Sequence, residues 1–256
     1  MMNETYDKVQ ILNMDILSLT SDELLKSLNK GILFTINVDH YIKLQNDLDF
    51  YDCYKAADWV VCDSRIIFLM AKFLRRPLLE VIPGSSFFSK FYLYHKSNPD
   101  IKIFLLGAEE GVAIKAMNNI NAKVENNMVV GAHSPTFGFE KNENECFDII
   151  KIIKGSGANV LVVGLGAPKQ EKWIAKYKQY LPNINLFMAL GATIDFEAGN
   201  LKRAPKWVQR FSLEWMYRLI REPGRLWKRY LVDDVAIFPL ILKQKFGRYN
   251  NPFKLK

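Results

Sequence analysis

Six short apolar runs do most to limit what this chain can fold into. They are Ile32 to Val38, Trp59 to Cys62, Ile101 to Leu106, Met128 to Ala132, Val160 to Val163 and Leu186 to Leu190. Helical patterns separate them. One runs from about Asp39 to Ala57, one from after Asp63 to about Leu74, and one carries Val112, Ala113, Ala116 and Met117. Two more cover about Glu143 to Lys154 and Pro168 to about Tyr180. Strands that are apolar throughout are buried on both faces, and 10–15-residue helices between them are the crossovers of parallel pairing. The expectation is an α/β fold, a Rossmann-like parallel sheet with helices on both faces. No internal repeat or low-complexity linker interrupts it.

Ligands of such sheets bind outside the carboxyl ends of the strands, so the residues there are the ones to inspect. The first strand ends in Thr35-Ile36-Asn37-Val38-Asp39-His40. Thr35 and Asn37 lie two apart and share a side of the sheet edge, as a sugar- or base-binding pair would. The alternative is a turn in which Asn37 or Asp39 caps the next helix, and His40 reads as structural. Asp63 directly follows the apolar strand Trp59–Cys62. A partly desolvated carboxylate in that place suits a general base, and its alternative is again a helix cap. Two glycine turns, Gly107 to Gly111 and Gly164-Leu-Gly166-Ala-Pro-Lys-Gln170-Glu171, bring helix N-termini to the edge, where backbone N–H groups can hold phosphate. Neither is a dinucleotide fingerprint: the second has Lys169 in place of the third glycine, and the first has the wrong spacing. Pro168 fits the first helical position, and Gln170 then lies in the first turn, aimed at the crevice.

Charge divides the chain in two. Residues 199–231 hold nine basic residues against two acids, a net +7, and residues 232–256 add +3. The whole chain is +8, so residues 1–198 sum to −2. The expected organisation is a catalytic body, 1–198, with a basic, aromatic, helical C-terminal appendage, 199–256. Trp207, Phe211, Trp215 and Leu219 fall four apart as an apolar stripe, and Glu222-Pro223 marks a helix boundary. Arg218, Arg221 and Arg225 share a face if the helix axis is kept. Such asymmetry points to an anionic partner: nucleic acid, an anionic membrane surface or a diphosphate. Interleaved Arg and Trp suit single-stranded nucleic acid, but the near-neutral body with an enzyme-like crevice opposes that reading.

Three scattered cysteines argue for a reducing compartment and against a disulfide framework or zinc site. The opening segment lacks the basic-then-apolar build of a secretory signal. No apolar run approaches the roughly 20 residues needed to span a bilayer, so a soluble or peripheral protein is expected. The one D-x-D, Asp47-Leu-Asp49, sits in a helical pattern before Phe50 and reads as a solvated face. No metal and no cofactor are expected.

Taken together, TINVDH, Asp63 after its strand, IFLLGAEEGVAIKA, VLVVGLGAPKQEKWI, GATIDFEAG and KRAPKWVQRFSLEWMYRLIREPGRLWKRYL resemble the WecG/TagA/CpsF family of glycosyltransferases over residues 31 to 231. The resemblance implies inverting transfer of a sugar from a UDP-sugar to a polyprenyl-diphosphate-linked sugar at the cytoplasmic membrane face, without a metal. It favours an N-acetylmannosamine donor, with glucose or another hexose as alternative, and leaves a homo-oligomer open. Residue by residue, Thr35 and Asn37 match the family's substrate-binding pair, Asp63 its proposed base, and Gln170 the glutamine of its G-A-P-x-Q-E block. Arg218, Arg221 and Arg225 match its appendage arginines. Val81-Ile82-Pro83-Gly84-Ser85-Ser86 departs from the pattern: a phosphate-contacting Arg is missing and Ser86 stands for an acid. Asp63 is followed by Ser64 where Gly is commoner.

Overall fold

A computed structural model describes residues 6–201, 205, 214–221 and 223–254. The six apolar runs form six strands of one parallel sheet: β3 (Gly31–Ile36), β4 (Trp59–Cys62), β5 (Ile103–Gly107), β6 (Val129–His133), β7 (Val160–Gly164) and β8 (Leu186–Ala189). Their order is β4-β3-β8-β7-β5-β6. Alternate side chains feed two cores. Ile32, Phe34, Leu106, Leu161 and Val163 enter one, and Leu33, Val61, Leu105, Val162 and Met188 the other. Burial on both sides is why the strands read as continuous apolar runs rather than as alternating ones.

The first core is closed by α2 (Val38–Lys43), α3 (Leu48–Lys55), α4 (Arg65–Phe73), α7 (Glu143–Gly155) and α8 (Lys169–Tyr177). The second is closed by α1 (Ser21–Ser27), α5 (Gly84–Tyr94), α6 (Val112–Val124) and α9 (Thr193–Glu197). The single helix expected over 39–57 is two helices. The chain breaks between them, and Asp47 caps α3 by accepting from Phe50 N at 3.0 Å. Asp47 also pairs with Lys172 of α8 at 2.8 Å, while Asp49 is largely exposed. Asp47 is therefore a cap and a tether rather than part of a free solvated face.

An antiparallel hairpin, β1 (Lys8–Ile11) and β2 (Met14–Leu17), precedes the sheet and adds Ile11, Met14 and Ile16 to the first core. Helix α5 also goes unread in the sequence. It opens on Gly-Ser-Ser and is dense in aromatics, a composition of weak helix propensity that burial of Phe87, Phe88, Phe91 and Tyr92 overrides.

Beyond the body come α10 (Glu214–Arg221) and α11 (Pro223–Lys228), with Pro223 opening the second as the Glu222-Pro223 pair suggests. After a short helical stretch, Arg229–Asp233, lies α12 (Ile237–Lys245). Ile237 and Ile241 are fully buried in the first core. Gln244 accepts from Leu12 N at 2.8 Å, Lys245 donates to Phe73 O at 2.7 Å, and Tyr249 hydroxyl donates to Gln45 at 2.7 Å. The last part of the chain is thus built into the body. No helix among the described residues is long and apolar enough to cross a membrane.

Candidate active site at the carboxyl edge of the sheet

The register of β3 and β4 sets the first part of the site. Thr35 pairs with Val61 and Ile36 with Cys62, and Asp63 N donates to Ile36 O at 2.9 Å. Asn37 and Asp63 therefore leave neighbouring strands side by side. Asp63 is half-buried. The N-cap of α4 is Ser64, so the capping alternative for Asp63 falls away.

Asn37 does cap: its Oδ1 accepts from His40 N at 3.2 Å at the start of α2. Thr35 is buried against the first residue of α5, where a Cβ on Gly84 would stand 3.2 Å from Thr35 Oγ1. Ile82 N, bonded to Cys62 O at 2.6 Å, draws that helix start onto the strand ends. The segment that departs from the family pattern thus becomes the first turn of α5, beside Thr35.

Glycines form the middle of the edge. Gly107 and Gly164 are in register on β5 and β7. A Cβ on Gly107 would lie 2.4 Å from Gly164 O, and one on Gly164 2.7 Å from Gly191 O. Gly107 has φ 131° and Gly191 φ 55°. Only glycine allows this approach of three backbones. The connections leave β5 and β7 in opposite directions, so this is a switch point of the sheet, where such folds bind nucleotides. Gly166, at φ 76°, turns the following loop into α8, and Pro168 stands at the N-cap, one residue before the first helical position.

Gln170 is buried, and both ends of its amide are engaged. Oε1 accepts from Gly191 N at 3.1 Å, and Nε2 donates to Glu171 Oε1 at 2.8 Å. It braces α8 to the end of β8, directly behind the glycine edge. Glu171 is fully buried, its Oε2 has no hydrogen-bond partner, and burial pushes its carboxyl up to about 7.

A residue outside the sequence-based site set completes the assembly. Arg229 reaches back from the C-terminal segment to Asn37, donating from Nη2 to Oδ1 at 3.3 Å. It also lies 3.7 Å from Asp39 and 4.0 Å from Asp234. Lys43 pairs with Asp39 one turn along α2 and donates to Ala167 O on the α8 loop at 3.3 Å. Burial opposes ionisation of Asp39, but Arg229 and Lys43 outweigh it and hold the carboxyl below its ordinary value. Burial raises Asp234 to about 6 and lowers His40 to about 3. His40 is a neutral structural ring bonded to the Tyr54 hydroxyl, as expected for it. In the sequence Arg229 is one basic residue among nine in its run. Only the Asp39–Lys43 spacing of four carries a local signal.

Arg221 is exposed, with its guanidinium 5.4 Å over the Tyr217 ring. Arg218 and Arg225 lie on α10 and α11; their side chains, and those of Trp207, Phe211 and Trp215 in the expected stripe, are outside the described residues. Among the described residues no cluster of three or more His, Cys, Asp or Glu side chains could hold a metal ion. The three cysteines are buried and unpaired.

Glu171 gives a pH test of this geometry. Its folded pKa is raised from 4.5 to about 7. The stability it contributes is therefore complete below about 4.5 and is lost as pH climbs through 7. Glu171→Gln keeps an acceptor for Gln170 and removes the titration. The variant is expected to gain thermal stability relative to the parent as pH is raised from 5 to 8. Asp234 titrates in both proteins and cancels in the difference. A pH-independent gap between the two melting curves contradicts the assignment.

Residues 9–251 match the family model described as the glycosyl transferase WecG/TagA/CpsF family. Two similar curated proteins carry the name N-acetylglucosaminyldiphosphoundecaprenol N-acetyl-beta-D-mannosaminyltransferase. The one from Bacillus subtilis (strain 168) is 29% identical over 201 residues, 78% of this chain and 75% of the relative. The one from Bacillus spizizenii (strain ATCC 23059 / NRRL B-14472 / W23) is 30% identical over 205 residues, 79% and 76% respectively. With a match that runs from β1 to beyond α12, and with the motifs of residues 35–199 at the carboxyl ends of the strands, the chain belongs to the WecG/TagA/CpsF family and is a glycosyltransferase.

Proposed function

We propose that this enzyme transfers N-acetylmannosamine, with inversion, from a UDP-linked donor to a polyprenyl-diphosphate-linked N-acetylglucosamine. The observation that carries the reading is the placement of Asp63 beside Asn37 at adjacent strand ends, with a switch-point glycine edge three strands along. In the reaction Asp63 takes the proton of the acceptor hydroxyl. The hydroxyl oxygen bonds to the anomeric carbon from the face opposite the leaving group, and the bond from that carbon to the diphosphate oxygen breaks. UDP departs with the electron pair and needs cationic and N–H donors. Thr35, Asn37 and Gln170 serve the donor pocket, with Gly107, Gly164 and Gly166 bringing backbone N–H groups to the diphosphate. Gln170 acts there by fixing Gly191. The acceptor class follows the relatives' printed names.

We also read the basic C-terminal region, residues 199–256, as docking on an anionic membrane at the inner face of the cell membrane, with α12 anchoring it to the body. Ile220, Trp227, Leu231, Val232, Phe238 and Leu242 are exposed among its basic residues. That combination favours interfacial adsorption, with about 1 kcal/mol per basic residue near an anionic surface.

The test offers purified enzyme a panel of UDP-sugars with a lipid-diphosphate N-acetylglucosamine acceptor and follows UDP release and product mass. Transfer from UDP-N-acetylmannosamine is expected above all others, and preference for UDP-glucose or another hexose shifts the assignment to that donor. Activity is expected to survive EDTA, because the appendage arginines meet the diphosphate charge. Loss with EDTA and recovery with Mg²⁺ or Mn²⁺ removes the metal-free mechanism.

A further inference from the structure

Helices α4 and α12 carry apolar side chains that the core does not use. Leu69 and Phe73 on α4 lie four apart and are about half exposed. Phe238, Leu242 and Phe246 make a second exposed row, four apart, along α12 and its cap. Neither helix contains an acidic residue. Lys245 Nζ donates to Phe73 O at 2.7 Å and stands 5.1 Å from the centre of the Phe73 ring, which sets the C-terminal ends of the two helices side by side. At that junction is a cleft of about 390 Å³ lined by Leu74, Arg75, Arg76, Gln244 and Lys245, three cations and no acid. A neighbouring cleft on the hairpin side shares Arg76 and adds Lys8 and Asp7.

Local duties use only part of this charge. Lys245 serves the end of α4, and Arg76 Nη1 donates to Gln10 O at 3.3 Å. The Arg75 guanidinium has no hydrogen bond or ion pair among the described residues. Arg75 ends α4 at φ 60°, the left-handed position that glycine usually fills. An exposed arginine is thus kept there against the preference of its own backbone.

We propose that this junction is a phospholipid site: α4 and α12 lie with their apolar rows in the bilayer interface, and the Arg75–Arg76–Lys245 cleft takes the phosphate of an anionic lipid. Exposed apolar rows beside cations, with no acid on either helix, match the two layers of such a surface, acyl chain and headgroup phosphate. The site is separate from the reaction centre. Arg65 opens α4 two residues after Asp63, and the cleft lies past the far end of that helix, about 12 Å along it. Docking through the cleft holds the carboxyl edge at a fixed distance from the membrane that carries the acceptor.

This rests on the membrane docking proposed for residues 199–256 and extends it onto the body. The test is co-sedimentation with vesicles of phosphatidylcholine alone and of phosphatidylcholine mixed with phosphatidylglycerol. It compares the parent with Arg75→Gln/Arg76→Gln and with Leu69→Ser/Phe246→Ser. Affinity for the anionic vesicles is expected to fall about tenfold or more in the arginine variant, and to fall in the apolar variant as well. Binding to phosphatidylcholine alone changes little in the arginine variant. Turnover with a short-chain, water-soluble acceptor is retained in both. The substituted side chains are exposed, and melting curves check that the fold is kept. Parent-like affinity of either variant for the anionic vesicles overturns the site. So does an equal loss by the arginine variant on both kinds of vesicle. Saturable binding of free glycerol phosphate, lost in the arginine variant while vesicle binding is not, assigns the cleft to a soluble phosphate and overturns the lipid. A parent that binds neither vesicle removes the docking of residues 199–256 as well.

Discussion

Asp63→Asn is expected to keep the fold and lower turnover by about 10²–10⁴-fold, the range a positioned general base contributes. The fold should survive because Asp63 is anchored by its backbone, through the 2.9 Å bond to Ile36 O, and because asparagine has the same shape. Helix α4 takes its cap position at Ser64, so the carboxylate is not needed to start it. What the variant loses is the ability to accept the acceptor's proton as C–O bond formation proceeds. The measurement is steady-state turnover with the lipid-linked acceptor, with circular dichroism and melting to confirm the fold. Turnover within a few-fold of the parent would exclude Asp63 as the base and turn attention to Asp39, whose carboxyl is held below its ordinary value at the same edge.

Replacing Arg218, Arg221 and Arg225 together by alanine is expected to cut turnover by about 10²-fold or more while donor affinity changes far less. Cations that meet charge developing on the departing diphosphate act mainly in the transition state. The body offers no arginine in the Val81–Ser86 segment, and on the proposed reading the appendage arginines supply this charge. The structure shapes the experiment. Deleting everything after residue 198 also removes Ile237 and Ile241 from the core and Arg229 from Asn37. A truncated body that misbehaves would then report lost packing as much as lost chemistry, whereas the triple substitution leaves α12 in place. Vesicle binding by the parent should fall steeply between low and physiological salt. A triple variant that transfers sugar at the parental rate reduces these arginines to surface charge.

Periodicity was enough to read the sheet. A fully apolar strand flanked by helices on both faces has one stable environment, so all six strands were visible as runs, and the carboxyl-edge rule then selected Thr35, Asn37, Asp63 and the glycine turns. The motif blocks carried the family. Local rules placed the Glu222-Pro223 boundary because proline's missing N–H and fixed φ act within a single residue's reach.

What the sequence left open depends on contacts between distant residues. The four-residue strands of the N-terminal hairpin are too short to show a period, and α5 becomes helical through aromatic burial against its own propensity. Gln170 sits beside Gly191, 21 positions on, and Arg229 meets Asn37 across 192 positions. Phe137 meets Lys169 because the sheet order leaves only β5 between β6 and β7. Local chemistry therefore determined which residues could act at the edge. Strand order and the return of the C-terminal segment decided which of them meet, because loop closure over long separations is settled by the whole packed core and leaves no local mark.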